Sequence, residues 1–240
     1  MTIPSAPFNC LAIETATDMP SLALLHGDSV TVRESRGLRA PSRSVFEWVR
    51  ELLDESSVSL DELDCIAFGS GPGSFTGVRV AVAVAQGLGY AAQLPLCPVS
   101  TLAALAAGGF RHTTADTVAC CLDAYMGEVY FGVYCRDARD GVRELGPDVL
   151  EVPDAVSLPG GGTCFAAGPG WAAYPQLAGR MRDRFAGIAP DLLPSATDVA
   201  RLARPRFLAG RIVRPAEAQP NYLRHQVASV AKAVLAGRSV

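Results

Sequence analysis

The chain of 240 residues contains one lysine, Lys232, and three histidines, His26, His112 and His225. Each scarcity excludes a chemistry. A phosphate loop of the G-x-x-x-x-G-K-[ST] kind needs a lysine after its last glycine, and here Val78 follows Gly77. Lys232 stands in a small-residue tail without an activating neighbour, which argues against Schiff-base chemistry. The histidines are widely separated in sequence, so no metal-ligand spacing is present. Seven cysteines, Cys10, Cys65, Cys97, Cys120, Cys121, Cys135 and Cys164, form no C-x-x-C pair and lie mostly in apolar runs. There a free thiol acts as a small hydrophobe. With no recognisable secretory leader, a reducing cytoplasm is the expected setting. Arg79 and Gln86 interrupt the longest apolar stretch, so no membrane span is expected. A net charge of −3 leaves no broad basic field for a nucleic acid. Arginines do gather locally, at Arg33, Arg36, Arg39 and Arg43 and at Arg180, Arg182 and Arg184, and read as solvated surface charge.

What is present is apolar and periodic. At 49% hydrophobic residues the chain can bury one large core or two small ones. Short strands are expected at Cys10–Ile13, Ser21–His26 and Ser29–Glu34, with Gly27-Asp28 as a two-residue turn. Val45, Trp48, Val49, Leu52 and Leu53 recur at helical spacing, which predicts an amphipathic helix from about Ser42, its N-cap, to Glu55. A strand at Cys65–Gly69 leads into a glycine-rich loop and a helix from about Gly77 to Ala92. Leu94–Val99 is another strand, and Ser100 caps a helix to about Ala107. The second half repeats a weaker version of this order. Thr117–Leu122 and Glu128–Cys135 form a hairpin, with strands at Val149–Val152 and Thr163–Ala167. A helix follows Gly168-Pro169-Gly170-Trp171, a short one lies within Pro190–Arg206, and a last one runs from about 223 to 240. Two copies of one βαβ-rich unit predict two lobes with a cleft between them. The first lobe is placed at residues 1–104 and the second at 105–222, with the terminal helix packing back on the first.

The loop Gly71-Pro72-Gly73-Ser74-Phe75-Thr76-Gly77 carries two readings. A helix start offers free N–H groups and a positive dipole end, so Gly71, Gly73, Ser74, Thr76, Gly77 and Arg79 are candidate nucleotide or anion contacts. Alternatively the glycines serve a tight turn capped by Ser74 or Thr76. Glu14 and Asp123 either face one another across the cleft or cap local turns. Trp171 belongs to a second glycine loop or is a core anchor.

Several segments together resemble one family. They are Leu11-Ala-Ile-Glu-Thr-Ala-Thr17, Gly71-Pro-Gly-Ser-Phe-Thr-Gly-Val-Arg79, Gln86-Gly-Leu88, Pro98-Val-Ser-Thr-Leu102, Leu122-Asp-Ala124 with Met126-Gly-Glu-Val-Tyr130, Gly168–Trp171 and Pro220-Asn-Tyr-Leu-Arg224. The chain is identified by them as resembling the TsaB (YeaZ-like) family of the TsaD/Kae-type superfamily. The resemblance implies an α/β, two-lobed actin/Hsp70/sugar-kinase fold with duplicated βββαβα units. It implies a role in threonylcarbamoyladenosine modification of tRNAs that read ANN codons, as the non-catalytic partner of a TsaD-like protein, with a TsaE-like ATPase in the same complex. The tRNA is engaged indirectly, and a nucleotide only within the complex. No catalytic residue, metal or other cofactor is expected of this chain.

Departures from the family pattern sharpen those expectations. Actin-like ATPases use an Asp-x-Gly-Thr phosphate loop, where this chain has Glu14-Thr15-Ala16-Thr17, and a Cβ at Ala16 crowds the approach of phosphate. Asp123-Ala124-Tyr125-Met126-Gly127 also lacks the glycine, and Tyr125 replaces the family's usual arginine. Pro41 stands where many members keep a histidine. A hydrolase reading needs a metal or an activated nucleophile, and Ser74 lacks the G-x-S-x-G elbow. A small-molecule kinase needs the missing phosphate-loop glycines. Similar proteins self-associate and pair with TsaD through their first-lobe helices. The small residues Ala81, Ala83, Ala85, Gly87 and Gly89 permit close helix approach in a homodimer or a mixed pair. The expected interface is Val45, Phe46, Val49, Val78, Val82, Ala85 and Gly89.

Overall fold

The computed structural model describes residues 7–35 and 42–224. The first sheet begins with the antiparallel strands β1 (Asn9–Glu14), β2 (Ser21–His26) and β3 (Ser29–Glu34). Helix α1 (Ser42–Ser56) follows, then β4 (Cys65–Gly69), α2 (Phe75–Ala92), β5 (Leu96–Val99) and α3 (Thr101–Gly109). The strand order is β3-β2-β1-β4-β5, with β1, β4 and β5 parallel. The second half contributes β6 (Thr117–Asp123), β7 (Val129–Asp137), β8 (Gly141–Glu144), β9 (Val149–Glu151), β10 (Cys164–Ala167) and β11 (Phe185–Ala189). Its order is β11-β10-β6-β7-β8, with β9 also paired to β7. Apart from β9, this is the first sheet's order repeated: third, second, first, fourth and fifth strands. The repeat reaches the loops. Gly71-Pro72-Gly73 follows β4 and Gly168-Pro169-Gly170 follows β10, and the first glycines have φ of +98° and +106°, in the left-handed region that favours glycine. The chain has the two-lobed actin/Hsp70/sugar-kinase fold.

Strand alternation divides the core into layers. Leu11, Ile13, Leu22, Leu24, Ile66 and Phe68 face α1 and α2 on the outside of the first sheet. Cys10 and Ala12 face inward, into a core that also contains Val118, Cys120, Leu102, Leu105, Val199 and Leu202. That core is shared by both sheets. Helix α3 follows the first sheet but packs on the second, and α6 (Ala196–Leu208) follows the second sheet but packs on the first. The expected lobe limit between residues 104 and 105 therefore falls inside α3, in this crossed layer. Outside the second sheet lie two short helices, α4 (Gly170–Ala173) and α5 (Pro175–Arg180). Trp171 anchors that layer: its indole N–H donates to the Ala119 carbonyl at 3.1 Å, and Phe131 and Phe185 meet it edge-on.

Some sequence expectations shift. Helix α2 starts at Phe75, two residues early, because Ser74 is its N-cap and accepts from the Gly77 N–H at 3.4 Å. Ser42 is the first helical residue of α1, so it does not itself stand at the N-cap. Strands β8 and β11 were not expected. Val142 is the only buried residue of β8, and β11 reads Phe-Ala-Gly-Ile-Ala on a sheet edge, so neither has clear periodicity. The expected strand at Val149–Val152 is β9, a second partner of β7. Pro41, His225, Lys232 and the expected terminal helix beyond Arg224 lie outside the described residues, and Tyr222–Arg224 is not helical.

Candidate functional site

A cleft of about 880 Å³ opens between the lobes. Its floor is the β1–β2 turn. Glu14, the last residue of β1, is fully buried, and its carboxyl accepts the Ala16 N–H at 2.7 Å and the Thr101 hydroxyl at 3.1 Å. A Cβ at Gly69 would lie 2.0 Å from its Oε2, so the glycine makes room for the acid. Burial pushes the Glu14 carboxyl up to about 7, against the opposing pull of those hydrogen bonds. Across the cleft Asp123 accepts the Tyr125 N–H at 2.8 Å and the Tyr174 hydroxyl at 3.1 Å. Each acid accepts one backbone N–H of its own turn and one hydroxyl from a distant part of the chain, and neither acid is a hydrogen-bond partner of the other.

The glycine loop is clamped onto the same turn. The Ser74 N–H donates to the Ala16 carbonyl at 2.7 Å, and the Thr15 hydroxyl donates to the Gly77 carbonyl at 2.7 Å. A Cβ at Gly77 would sit 1.9 Å from the Thr15 carbonyl oxygen, and one at Gly73 2.6 Å from that of Ala16. Ala16 is 2% exposed, and its own Cβ fills the space over Gly73. Gly73, Ser74, Thr76 and Gly77 line the cleft, while Gly71 lies under Asn221. Arg79 is not among the lining residues. Its guanidinium stacks 3.6 Å over the Phe75 ring, and its Nε donates to the Tyr222 hydroxyl at 2.7 Å. The cleft lining holds Asp18, Asp123 and Asp191 and, among the described residues, no arginine or lysine. Its charge is thus opposite to what an anion attracts.

The expected interface residues are largely elsewhere. Val45, Val49, Val82 and Ala85 belong to the core between the helices and the first sheet. Val78 is 3% exposed, and Gly89 is buried against Leu96 and Pro215. Only Phe46 is exposed, at 51%. The apolar faces of α1 and α2 are spent on their own sheet, so substituting them perturbs the fold first. The bare side of α2 is instead Thr76, Ala83, Gly87 and Tyr90, which recur at helical spacing. A Cβ at Gly87 meets nothing within 4 Å. Ala83 and Gly87 were legible as small residues four apart; Tyr90 was missed because its immediate sequence neighbours, Leu88, Gly89, Ala91 and Ala92, carry no polar side chain.

Nucleophile and metal chemistry find little support among the described residues. The cysteines are free thiols, and burial raises Cys97 and Cys121 to about 12 and Cys164 to about 11, which holds them protonated. No three His, Cys, Asp or Glu side chains converge as metal ligands among the described residues. His26 Nδ1 lies 2.8 Å from the Asn9 side-chain oxygen. No helix among the described residues is long and apolar enough to cross a membrane.

Residues 37–204 match the family model described as TsaD, tRNA N6-adenosine threonylcarbamoyltransferase. The chain is 36% identical over 225 residues to the tRNA threonylcarbamoyladenosine biosynthesis protein TsaB of Escherichia coli (strain K12), covering 91% of this chain and 95% of that protein. The chain belongs to the TsaB family. TsaB of Haemophilus influenzae is 34% identical, with 90% of this chain and 94% of the relative covered. A solved structure titled YeaZ from Pseudomonas aeruginosa is 39% identical, covers 90% of this chain and all of its own, and superposes with a TM-score of 0.84. The TsaB likeness thus spans both lobes and the cleft between them.

Proposed function

We propose that this chain serves tRNA threonylcarbamoyladenosine biosynthesis as the non-catalytic partner of a TsaD-type transferase. The observation that carries the reading is the near full-length similarity to proteins named for that biosynthesis. The cleft supports the non-catalytic part. Its first turn is closed by Ala16, and the loop that would meet a phosphate is occupied by the first hairpin. A nucleotide then enters only at a site completed by the complex, and a TsaE-like ATPase and the tRNA are reached through that assembly. The bare side of α2, Ala83, Gly87 and Tyr90, with exposed Phe46 of α1 on the same outer layer of the first sheet, is the docking face for the partner and, in its absence, for a second copy.

Reconstitution tests this. Threonylcarbamoyl transfer to tRNA by a TsaD protein should require this chain. Ala83→Arg or Gly87→Arg should abolish the stimulation and the co-elution with TsaD, with the melting temperature unchanged. Val82→Glu, by contrast, buries a charge and should unfold the first lobe. Transfer that proceeds equally well without the chain would overturn the reading. So would tight ATP binding by the isolated chain in calorimetry, which belongs to a kinase of the same fold.

A further inference from the structure

The segment after α6 turns back along the first lobe. Val213 pairs antiparallel with Leu96 on the edge of β5 through two backbone hydrogen bonds of 2.9 and 2.8 Å. Gln86 of α2 donates its side-chain amide to the carbonyls of Pro215 at 3.0 Å and Ala218 at 3.2 Å. The Asn221 N–H donates to the Ser70 carbonyl at 2.6 Å, just before the glycine loop. Tyr222 then accepts from Arg79 and meets Phe75, with ring centroids 5.9 Å apart.

Two residues later the chain reaches the second lobe. Arg224 donates to the Ala124 carbonyl at 3.1 Å and pairs with Glu128 at 2.6 Å, and its other terminal nitrogen lies 3.5 Å from the Met126 sulfur. The paired side chains of Arg224 and Glu128 are 19% and 29% exposed, so solvent screens them less than an open surface pair. The turn they grip is strained. Tyr125 and Met126 have φ of +58° and +57°, a region that costs a non-glycine residue energy, and they are 72% and 73% exposed. Packing therefore does little to hold them. Tyr125 also lines the cleft.

We propose that residues 213–224 are an interlobe strap. It is fastened to β5, α2 and the glycine loop at one end, and through Arg224 it holds the β6–β7 turn at the cleft mouth. None of its anchors belongs to the α3–α6 core, so the strap joins the lobes separately from that core. Releasing Arg224 frees the turn and widens the cleft without dissolving either sheet.

Hydrogen exchange on the full chain tests this without any partner, so its outcome is independent of the assembly reading. In Arg224→Ala the amides of residues 124–128 should exchange about tenfold faster than in the parent, normalised to amides of β1 and β6, because a charge-assisted pair is lost locally. Arg224→Lys, which keeps the charge but not the fork, should fall between the two. Tyr222→Phe, which removes the acceptor of Arg79 at the opposite anchor, should speed the same turn by a smaller factor. Normalised exchange at 124–128 that is unchanged in both Arg224→Ala and Tyr222→Phe overturns the proposal. Normalisation separates this from a general loss of stability.

Discussion

The two lobes share a strand order and a Gly-Pro-Gly loop, yet they clothe their sheets differently. The first carries α1 and α2, of 15 and 18 residues. The second carries α4 and α5, of four and six, and only a single 3-10 turn at Pro153–Ala155 where the counterpart of α1 would stand. The loops differ in the same sense. In the first lobe Gly73 and Gly77 press on the β1–β2 turn itself, closing it. In the second, Gly170, the counterpart of Gly73, presses on strand β6 before the turn, where a Cβ would lie 2.4 Å from the Cys121 sulfur. The β6–β7 turn is left to project, and Arg224 holds it from outside. Duplication has thus produced one closed turn and one open turn on a common frame. In the closed one Ala16 fills the space over Gly73, while α2 beside it keeps an exposed side at Ala83, Gly87 and Tyr90.

The largest effect expected from breaking this comparison is at the closed turn. Gly77→Ala sets a Cβ against the Thr15 backbone, which cannot swing aside as a side chain does. It should lower unfolding free energy by roughly 3 kcal/mol or more in denaturant titration. Gly87→Ala, ten residues along the same helix on the bare side, should raise it by up to about 1 kcal/mol. Equal stability of the two variants would sink the clamp.

Glu14 gives the next largest effect, and it depends on pH. Its folded-state value near 7 stands above the ordinary 4.5, so the neutral form is the one the fold prefers. The stabilisation is fully present below about pH 4.5 and is lost as pH rises through 7, roughly 3 kcal/mol in all. Glu14→Gln keeps the shape without the charge. It should stand well above the parent in stability at pH 8, and the gap should shrink steadily toward pH 5. A gap that does not vary with pH would show that the carboxyl titrates normally. The closed turn is therefore stable chiefly with its acid protonated.

How much of this was legible follows from what periodicity encodes. The central strands of the first lobe are buried on both faces and read as short continuous apolar runs between turn residues, so Cys10–Ile13, Ser21–His26 and Cys65–Gly69 were readable to within a residue or two. An edge strand such as β11, with Ala186 and Gly187 at its centre, carries too little side chain to alternate. The exchange of α3 and α6 between sheets was illegible for another reason. Helix α3 is apolar on every side, so its pattern does not say which sheet it faces. The same limit applies to the expected interface residues: Val45 and Val82 mark an apolar face, but an apolar face belongs first to the nearest sheet, and both side chains are buried against it. For the glycine loop, an anion site and a tight turn both call for glycine. The turn's need for glycine is visible only in three dimensions, in the 1.9 Å approach of a Gly77 Cβ to the Thr15 carbonyl oxygen.

The smallest effect sharpens the comparison by sign. In the open turn Met126 holds a left-handed backbone, which costs a non-glycine residue about 1 kcal/mol. Met126→Gly relieves that, while glycine's greater freedom in the unfolded chain and the lost contact of the Met126 sulfur with Arg224 offset part of the gain, for a net change of about +0.5 kcal/mol or less. In the closed turn no residue from Glu14 to Thr17 has positive φ among those described, so glycine has nothing to relieve. Ala16→Gly there loses a buried Cβ packed over Gly73 and adds the same unfolded-state entropy, lowering stability by about 1 kcal/mol. Paired thermal melts of the two variants should therefore move in opposite directions. If both fall, the second turn is not held under strain, and the difference between the lobes reduces to their helices.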